Sequence, residues 1–199
     1  MNTLQRIIFN IFHPEFIELE PGGFWSQRYP PTKSLKRAAE LFNSINGKVI
    51  VEIGSGIHGE LSGNSTIVWT RETKAERIIA IDLEQKRLDE VTEATKGYTN
   101  VETILTDGIQ YVKDFDGKID LLYLDFWIDD AADALPGTAR SESYLQAYRN
   151  AKDKMNTSSM ILIDDTDHTL PYKHSLLIPE ARKDGFTVLW VGRQTLLKR

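Results

Sequence analysis

KVIVEIGSGIHG, residues 48–59, decides the fold: Val49, Ile50, Val51 and Ile53 surround one acid, Glu52, and Gly54, Gly56 and Gly59 follow at once. Apolar residues on successive positions mark a strand buried on both faces, the kind found in a parallel sheet between two helical layers. The G-x-G-x-x-G spacing allows a tight turn and a close approach of a ligand to the backbone. A turn that merely needs glycine is the plainer reading of the same spacing.

The pattern repeats outward from this stretch. RIIAID (77–82), VETILTD (101–107), IDLLYLD (119–125) and SMILID (159–164) are runs of strand length. Helical spacing lies between and before them at 31–45, 64–73, 85–96, 142–154 and 174–184. Such alternation predicts an α/β chain with a Rossmann-like, doubly wound, mostly parallel seven-stranded sheet. At the end, FTVLWV and QTLLKR flank Gly192 and Arg193, which predicts a hairpin with a two-residue turn and an antiparallel C-terminal strand. Pro136 and Gly137 interrupt any helix in 128–141, which reads as a loop over the rim. The length of 199 residues suits a single domain, with 31–199 as core and 1–30 as an arm or lid.

Composition narrows the partners. A formal charge of −5 argues against a phosphate backbone, so a small-molecule acceptor is expected and nucleic acid is not. No stretch is long and apolar enough to span a bilayer, and residues 1–16 lack the small-residue cleavage site of a signal peptide, so no membrane association is expected. The absence of cysteine removes disulfides, zinc thiolates and thiol nucleophiles together, and a cytoplasmic location is the expectation.

Polar residues gather at the predicted strand ends, the rim where open α/β sheets bind ligands. Gly54, Ser55 and Gly56 form the turn after the first strand. Asp82, followed by Leu83, ends the second strand, where a carboxylate can accept from both hydroxyls of a ribose; Glu84 is the neighbouring substitute. Asp107 ends the third strand, where it can receive an adenine amine, with Gly108 giving the ring room, or can cap the helix that follows. Asp125 ends the fourth, and Asp164 and Asp165 the fifth. Three converging carboxylates would repel one another unless a cation joined them, and hard oxygen donors suit Mg²⁺.

Glu52 two residues before Gly54 gives E-x-G-x-G, which resembles the first motif of class I S-adenosylmethionine-dependent methyltransferases, where the acid lies near the amino-acid end of the cofactor. VEIGSG, IIAID, TDG, LDFW and LIDD, in that order over about 48–165, resemble the metal-dependent small-molecule O-methyltransferases of that superfamily, of the catechol and antibiotic-sugar types. The resemblance implies S-adenosylmethionine as cofactor, and Mg²⁺ on Asp125, Asp164 and Asp165 holding a small hydroxylated acceptor. One departure stands out: catechol-type enzymes carry a lysine shortly after the fourth-strand aspartate, and this chain reads Asp125-Phe126-Trp127-Ile128-Asp129-Asp130. Asp129, Asp130, Asp167 and His168 are then the candidate proton acceptors, with His168 closest in ordinary pKa. His58 reads as a loop residue. Trp127 walls a pocket or packs, and Trp25 and Tyr29 cap the acceptor site or form a homodimer interface. A metal-independent methyltransferase, a nicotinamide-dependent oxidoreductase and a scaffold without turnover are the alternatives.

Overall fold

The computed structural model describes residues 32–57, 64–130, 137–166 and 173–199. Trp25, Tyr29, His58, Gly59, Asp167 and His168, and with them the arm and the middle of the 128–141 loop, lie outside the described residues.

Seven strands form one sheet: β1 (Val49–Ile53), β2 (Arg77–Asp82), β3 (Val101–Leu105), β4 (Ile119–Leu124), β5 (Met155–Ile163), β6 (Thr187–Trp190) and β7 (Thr195–Lys198). Their order is β3-β2-β1-β4-β5-β7-β6, and only β7 runs against its neighbours. Around them lie α1 (Thr32–Ser44), α2 (Ser65–Glu72), α3 (Gln85–Ala94), α4 (Gly108–Asp114), α5 (Thr138–Ala151) and α6 (Leu177–Lys183). The expected doubly wound sheet with an antiparallel closing strand is thus the observed one.

Successive strand residues point to opposite faces, so an unbroken apolar run feeds two cores. Ile50 and Leu121 join α1 and α2 through Leu35, Phe42 and Trp69 on one face. On the other, Val51 and Leu122 meet α5 and α6 through Tyr144, Tyr148 and Leu177.

Three boundaries differ from the sequence expectation. The helix expected at 142–154 begins at Thr138, because the Asp130 carboxylate accepts from the backbone N–H of Gly137 (2.6 Å) and Ala139 (2.8 Å) and so supplies a cap from across the loop. Gly137 is therefore the residue from which the helix starts, at φ 86°, and not a break in it. The chain after that helix tightens into a 3₁₀ turn at Lys152–Lys154, and β5 starts early, at Met155, with its pairing to β4 shifted between Ile119 and Leu121. The hairpin loop between β6 and β7 spans 191–194 instead of two residues. Gln194 is drawn into the core as acceptor of the Ser34 hydroxyl, and the carbonyls of Gly192 and Arg193 accept from Thr166 Oγ1 at 2.7 and 3.2 Å.

The close approach of the chain just after β1 to the chain just after β4 leaves no room for a side chain. Gly54 sits at φ 88°, and a Cβ there would meet the Asp125 carbonyl oxygen at 2.3 Å. Gly54→Ala combines a left-handed backbone cost of roughly 1–2 kcal/mol with a backbone clash. A clearly lowered Tm in thermal unfolding is expected, and an unchanged Tm would show that this approach is looser than described.

Candidate functional site

The strand order reverses between β1 and β4, and the site is built there. The backbone N–H of Asp125 donates to Ile53 at 2.9 Å and that of Asp164 to Leu124 at 3.0 Å, so the sheet ladder runs into both aspartates and holds their backbones rigidly. Gly54 and Ser55 both donate to the Ile81 carbonyl, at 2.9 and 3.1 Å, which folds the glycine turn back over β2. Asp164 and Asp165 are consecutive, and in a strand their side chains would diverge. Asp165 adopts φ 53°, a left-handed conformation uncommon for a non-glycine residue, and both carboxylates face the same cavity as Asp125. One oxygen from each lies within 4.8 Å of the others. The cavity holds about 230 Å³ and is bounded on the turn side by Gly54, Gly56 and Ser65.

Two cations enter this wall. Lys173 Nζ lies 3.2 Å from Asp125 Oδ1 and 3.1 Å from Asp165 Oδ2, with only 2% of its side chain exposed. The Arg193 guanidinium lies 3.7 Å from both Asp164 Oδ2 and Asp165 Oδ1. Burial pushes Asp125 up to about 6, with Lys173 opposing the rise, and pushes Asp164 well above the ordinary carboxylate range, helped by Asp125 and Asp165. Burial also works against the charge on Lys173, but the surrounding oxygen atoms of Tyr144 and the three aspartates more than restore it. Sequence reasoning found no lysine near Asp125 and missed this one. It arrives 48 residues later, as a single lysine after Pro171 and Tyr172 that no local pattern distinguishes.

The other residues expected on the cofactor side divide by role. Glu52 is fully buried and accepts from the hydroxyls of Ser65 and, at 2.8 Å, Thr66, so it fixes the start of α2 beside the glycine turn. Ser55 is buried too, and its hydroxyl has no hydrogen-bond partner, an orphaned polar atom beside a ligand-sized cavity. Asp82 ends β2 as expected; it accepts from the Glu84 N–H at 2.9 Å and lies 3.8 Å from Arg87. Leu83 next to it is 73% exposed, and Leu105, opposite Asp82 in the register, is 52% exposed, an apolar pair suited to a flat ring. Asp107 caps α4 by accepting from Ile109 and Gln110. Gly108 serves packing here: a Cβ would meet Ile53 Cγ2 at 2.3 Å.

Of the expected proton acceptors, Asp129 accepts from Trp127 Nε1 at 2.9 Å and Asp130 is the cap described above. Trp127 lines the cavity while 58% exposed, with the Arg140 guanidinium 3.5 Å from its ring centroid. Phe126 stacks on Tyr144, whose hydroxyl donates to the Phe126 carbonyl at 2.8 Å. Packing is the first reading of Trp127 from sequence, with a pocket wall as the alternative; it lines the cavity, and Phe126, stacked on Tyr144, lines it as well.

A family model described as a methyltransferase domain matches residues 51–166. No curated protein matches the sequence. Among solved structures, the chain is similar to a Podospora anserina methyltransferase holding S-adenosylhomocysteine, with a TM-score of 0.59, 19% identity, and 100% of this chain and 96% of that one covered. It is similar to a caffeoyl-CoA O-methyltransferase candidate from Staphylococcus aureus at a TM-score of 0.59 and 12% identity, covering 100% and 92%. An rRNA methylase from Streptococcus thermophilus gives 0.54 and 13%, covering 82% and 94%. At these identities the three share the fold with this chain.

Glu52 carries a pH signature. Burial raises its carboxyl to about 7, against the lowering effect of Ser65 and Thr66. Because the folded pKa is the higher one, its contribution is complete below the unfolded value and is lost as pH rises through about 7. Urea unfolding of wild type and Glu52→Gln at pH 5 and pH 8 should show wild type losing up to ~3 kcal/mol relative to the variant across that interval. A constant difference would mean that Glu52 is ionised throughout.

Proposed function

This chain belongs to the methyltransferase domain family, and on that premise we propose that it transfers the methyl group of S-adenosylmethionine to a hydroxyl oxygen of a small acceptor. The observation that carries the reading is the meeting of the glycine turn and the Asp125 carboxylate in one cavity at the reversal of strand order. The cofactor's methionine end would lie against Gly54, Gly56 and the orphaned Ser55 hydroxyl. Its ribose would reach Asp82, and its adenine would lie between the exposed Leu83 and Leu105, near the Asp107 cap. The S-adenosylhomocysteine in the Podospora structure supports this choice of cofactor.

An acidic wall and a net charge of −5 favour a small acceptor over the RNA substrates named for some neighbours. The acceptor would enter past Trp127, with Arg140 backing the ring. Its oxygen attacks the methyl carbon, the carbon–sulfur bond breaks, and the sulfonium becomes a neutral thioether. The proton leaves toward Asp125, a carboxyl held near 6 and so able to accept and release it near neutral pH. Positioning supplies most of the remainder, because the donor methyl is already activated.

The magnesium-assisted form of this reading places the ion on Asp125, Asp164 and Asp165, where it would lower the acceptor's pKa. The proximity of the three carboxylates and the hard donor chemistry favour it. The placement of charge does not, since Lys173 and Arg193 already contact all three, and no step above passes through a metal.

Calorimetry with S-adenosylhomocysteine tests the cofactor. Micromolar binding is expected, weakened by about 10–100-fold in Asp82→Ala by loss of charge-assisted hydrogen bonds. A folded wild type that binds none would remove the reading, and nicotinamide cofactors would be titrated next. Asp125→Asn should lower kcat by roughly 10²–10⁴ on an accepted substrate while changing its KM little. An equal rise in KM would reassign Asp125 to binding.

A further inference from the structure

We propose that Lys173 and Arg193 stand in for the divalent cation at this wall, so that the acceptor side of the cavity works without a bound metal. The inference deepens the reading above and rests on Asp125, Asp164 and Asp165 being the acceptor-side wall.

The oxygen atoms decide it. Asp125 Oδ1 and Asp165 Oδ2 are bridged by the Lys173 ammonium at 3.2 and 3.1 Å. Asp164 Oδ2 and Asp165 Oδ1 share the Arg193 guanidinium, each at 3.7 Å. Asp125 Oδ2 faces the Tyr123 hydroxyl at 3.5 Å, which in turn receives a hydrogen bond from Gln194 Nε2 at 3.2 Å. Of the six carboxylate oxygens, Asp164 Oδ1 is the one left buried without a hydrogen-bond partner. Mg²⁺ needs several oxygens in direct contact at roughly 2.0–2.1 Å in octahedral array, so it could enter only by expelling the ammonium from between Asp125 and Asp165.

Expulsion has nowhere to go. Lys173 is 1% exposed, and the Tyr144 ring lies 5.6 Å from its Nζ. Expelling the ammonium would leave the half-buried Asp125 and Asp165 carboxylates without the cation between them, and the displaced ammonium would itself have to be resolvated. Arg193 is equally fixed. Thr166 N–H donates to its carbonyl at 2.6 Å, and Thr166 Oγ1 donates to Gly192 at 2.7 Å, which holds the widened hairpin loop against the end of β5. The two side chains bring to the three carboxyl groups the same two positive charges that a divalent ion would bring.

The test is a titration of the full-length protein with Mn²⁺, followed by electron paramagnetic resonance of the free ion, with S-adenosylhomocysteine calorimetry on the same samples. Wild type is expected to leave the free Mn²⁺ signal intact at equimolar metal. Lys173→Met, confirmed as folded by circular dichroism, is expected to gain affinity for Mn²⁺ by about tenfold or more, and Lys173→Arg is expected to remain silent. Stoichiometric loss of the signal with wild type would overturn the proposal without reference to any variant. A folded Lys173→Met protein that gains nothing would overturn it as well, since the ammonium would then not be what occupies the ion's place. Failure to bind S-adenosylhomocysteine would count against the methyl-donor reading alone and leave the Mn²⁺ result interpretable.

Discussion

A buried ammonium is among the least tolerable groups in a protein interior, and the burial of Lys173 is possible only because carboxylates surround it. The dependence runs both ways. Asp125 and Asp165 project from neighbouring strand ends into a partly dry cavity and would repel each other without the cation between them. This one contact therefore ties together β4, the left-handed turn after β5, and the segment leading into α6. Arg193 extends the tie to the β6–β7 loop, which is why that loop is wider than its Gly-Arg sequence suggests. The strain stored at Asp165, at φ 53°, is offset by the two ion pairs that its side chain gains.

Packing fixes the opposite wall as firmly as charge fixes this one. Gly54 lies so near the Asp125 carbonyl that the glycine turn and the acidic rim are a single rigid unit. Glu52 then anchors α2 through Ser65 and Thr66, and Ser65 itself borders the cavity. A cofactor bound along the turn would thus find its contacts already positioned, which is the condition for catalysis by proximity and electrostatics. The two walls meet at Asp125, so that in the proposed function this residue would be shared by the donor and the acceptor halves of the site.

The two halves were not equally readable. Strands β1 to β5 and the identity of their terminal acids follow from apolar runs of the right length, because burial on both faces writes itself into consecutive residues. The glycine turn, Asp82, Asp107 and the Asp125–Asp164–Asp165 set stand at or just beyond the strand ends where these runs place them. Helix boundaries were less readable where the deciding group was distant: Asp130 starts α5 seven residues ahead of Gly137, and nothing near Thr138 announces it. Lys173 was unreadable for the same reason on a larger scale, because its meaning lies in partners 48 and 8 residues away. The packing of Gly108 against Ile53 was unreadable because a glycine that admits a ligand and one that admits a side chain look alike in sequence.

The residual charge of the wall bears on what passes in front of it. In the proposed reaction, three carboxyl groups and two cations would face a methyl donor whose sulfonium is positive. In the proposed transfer to a neutral hydroxyl, that positive charge would move from sulfur to the departing proton. A wall with a full divalent cation in addition to Lys173 and Arg193 would repel both. A wall with neither cation would hold the proton too tightly to release it. Asp125, pushed up by burial and held down by Lys173 to a value of about 6, sits between these limits, where a proton can be taken during transfer and returned to solvent afterwards. The internal cations therefore do more than permit burial. In the proposed reaction, Lys173 would also lower the proton affinity of Asp125, on which the acceptor half depends.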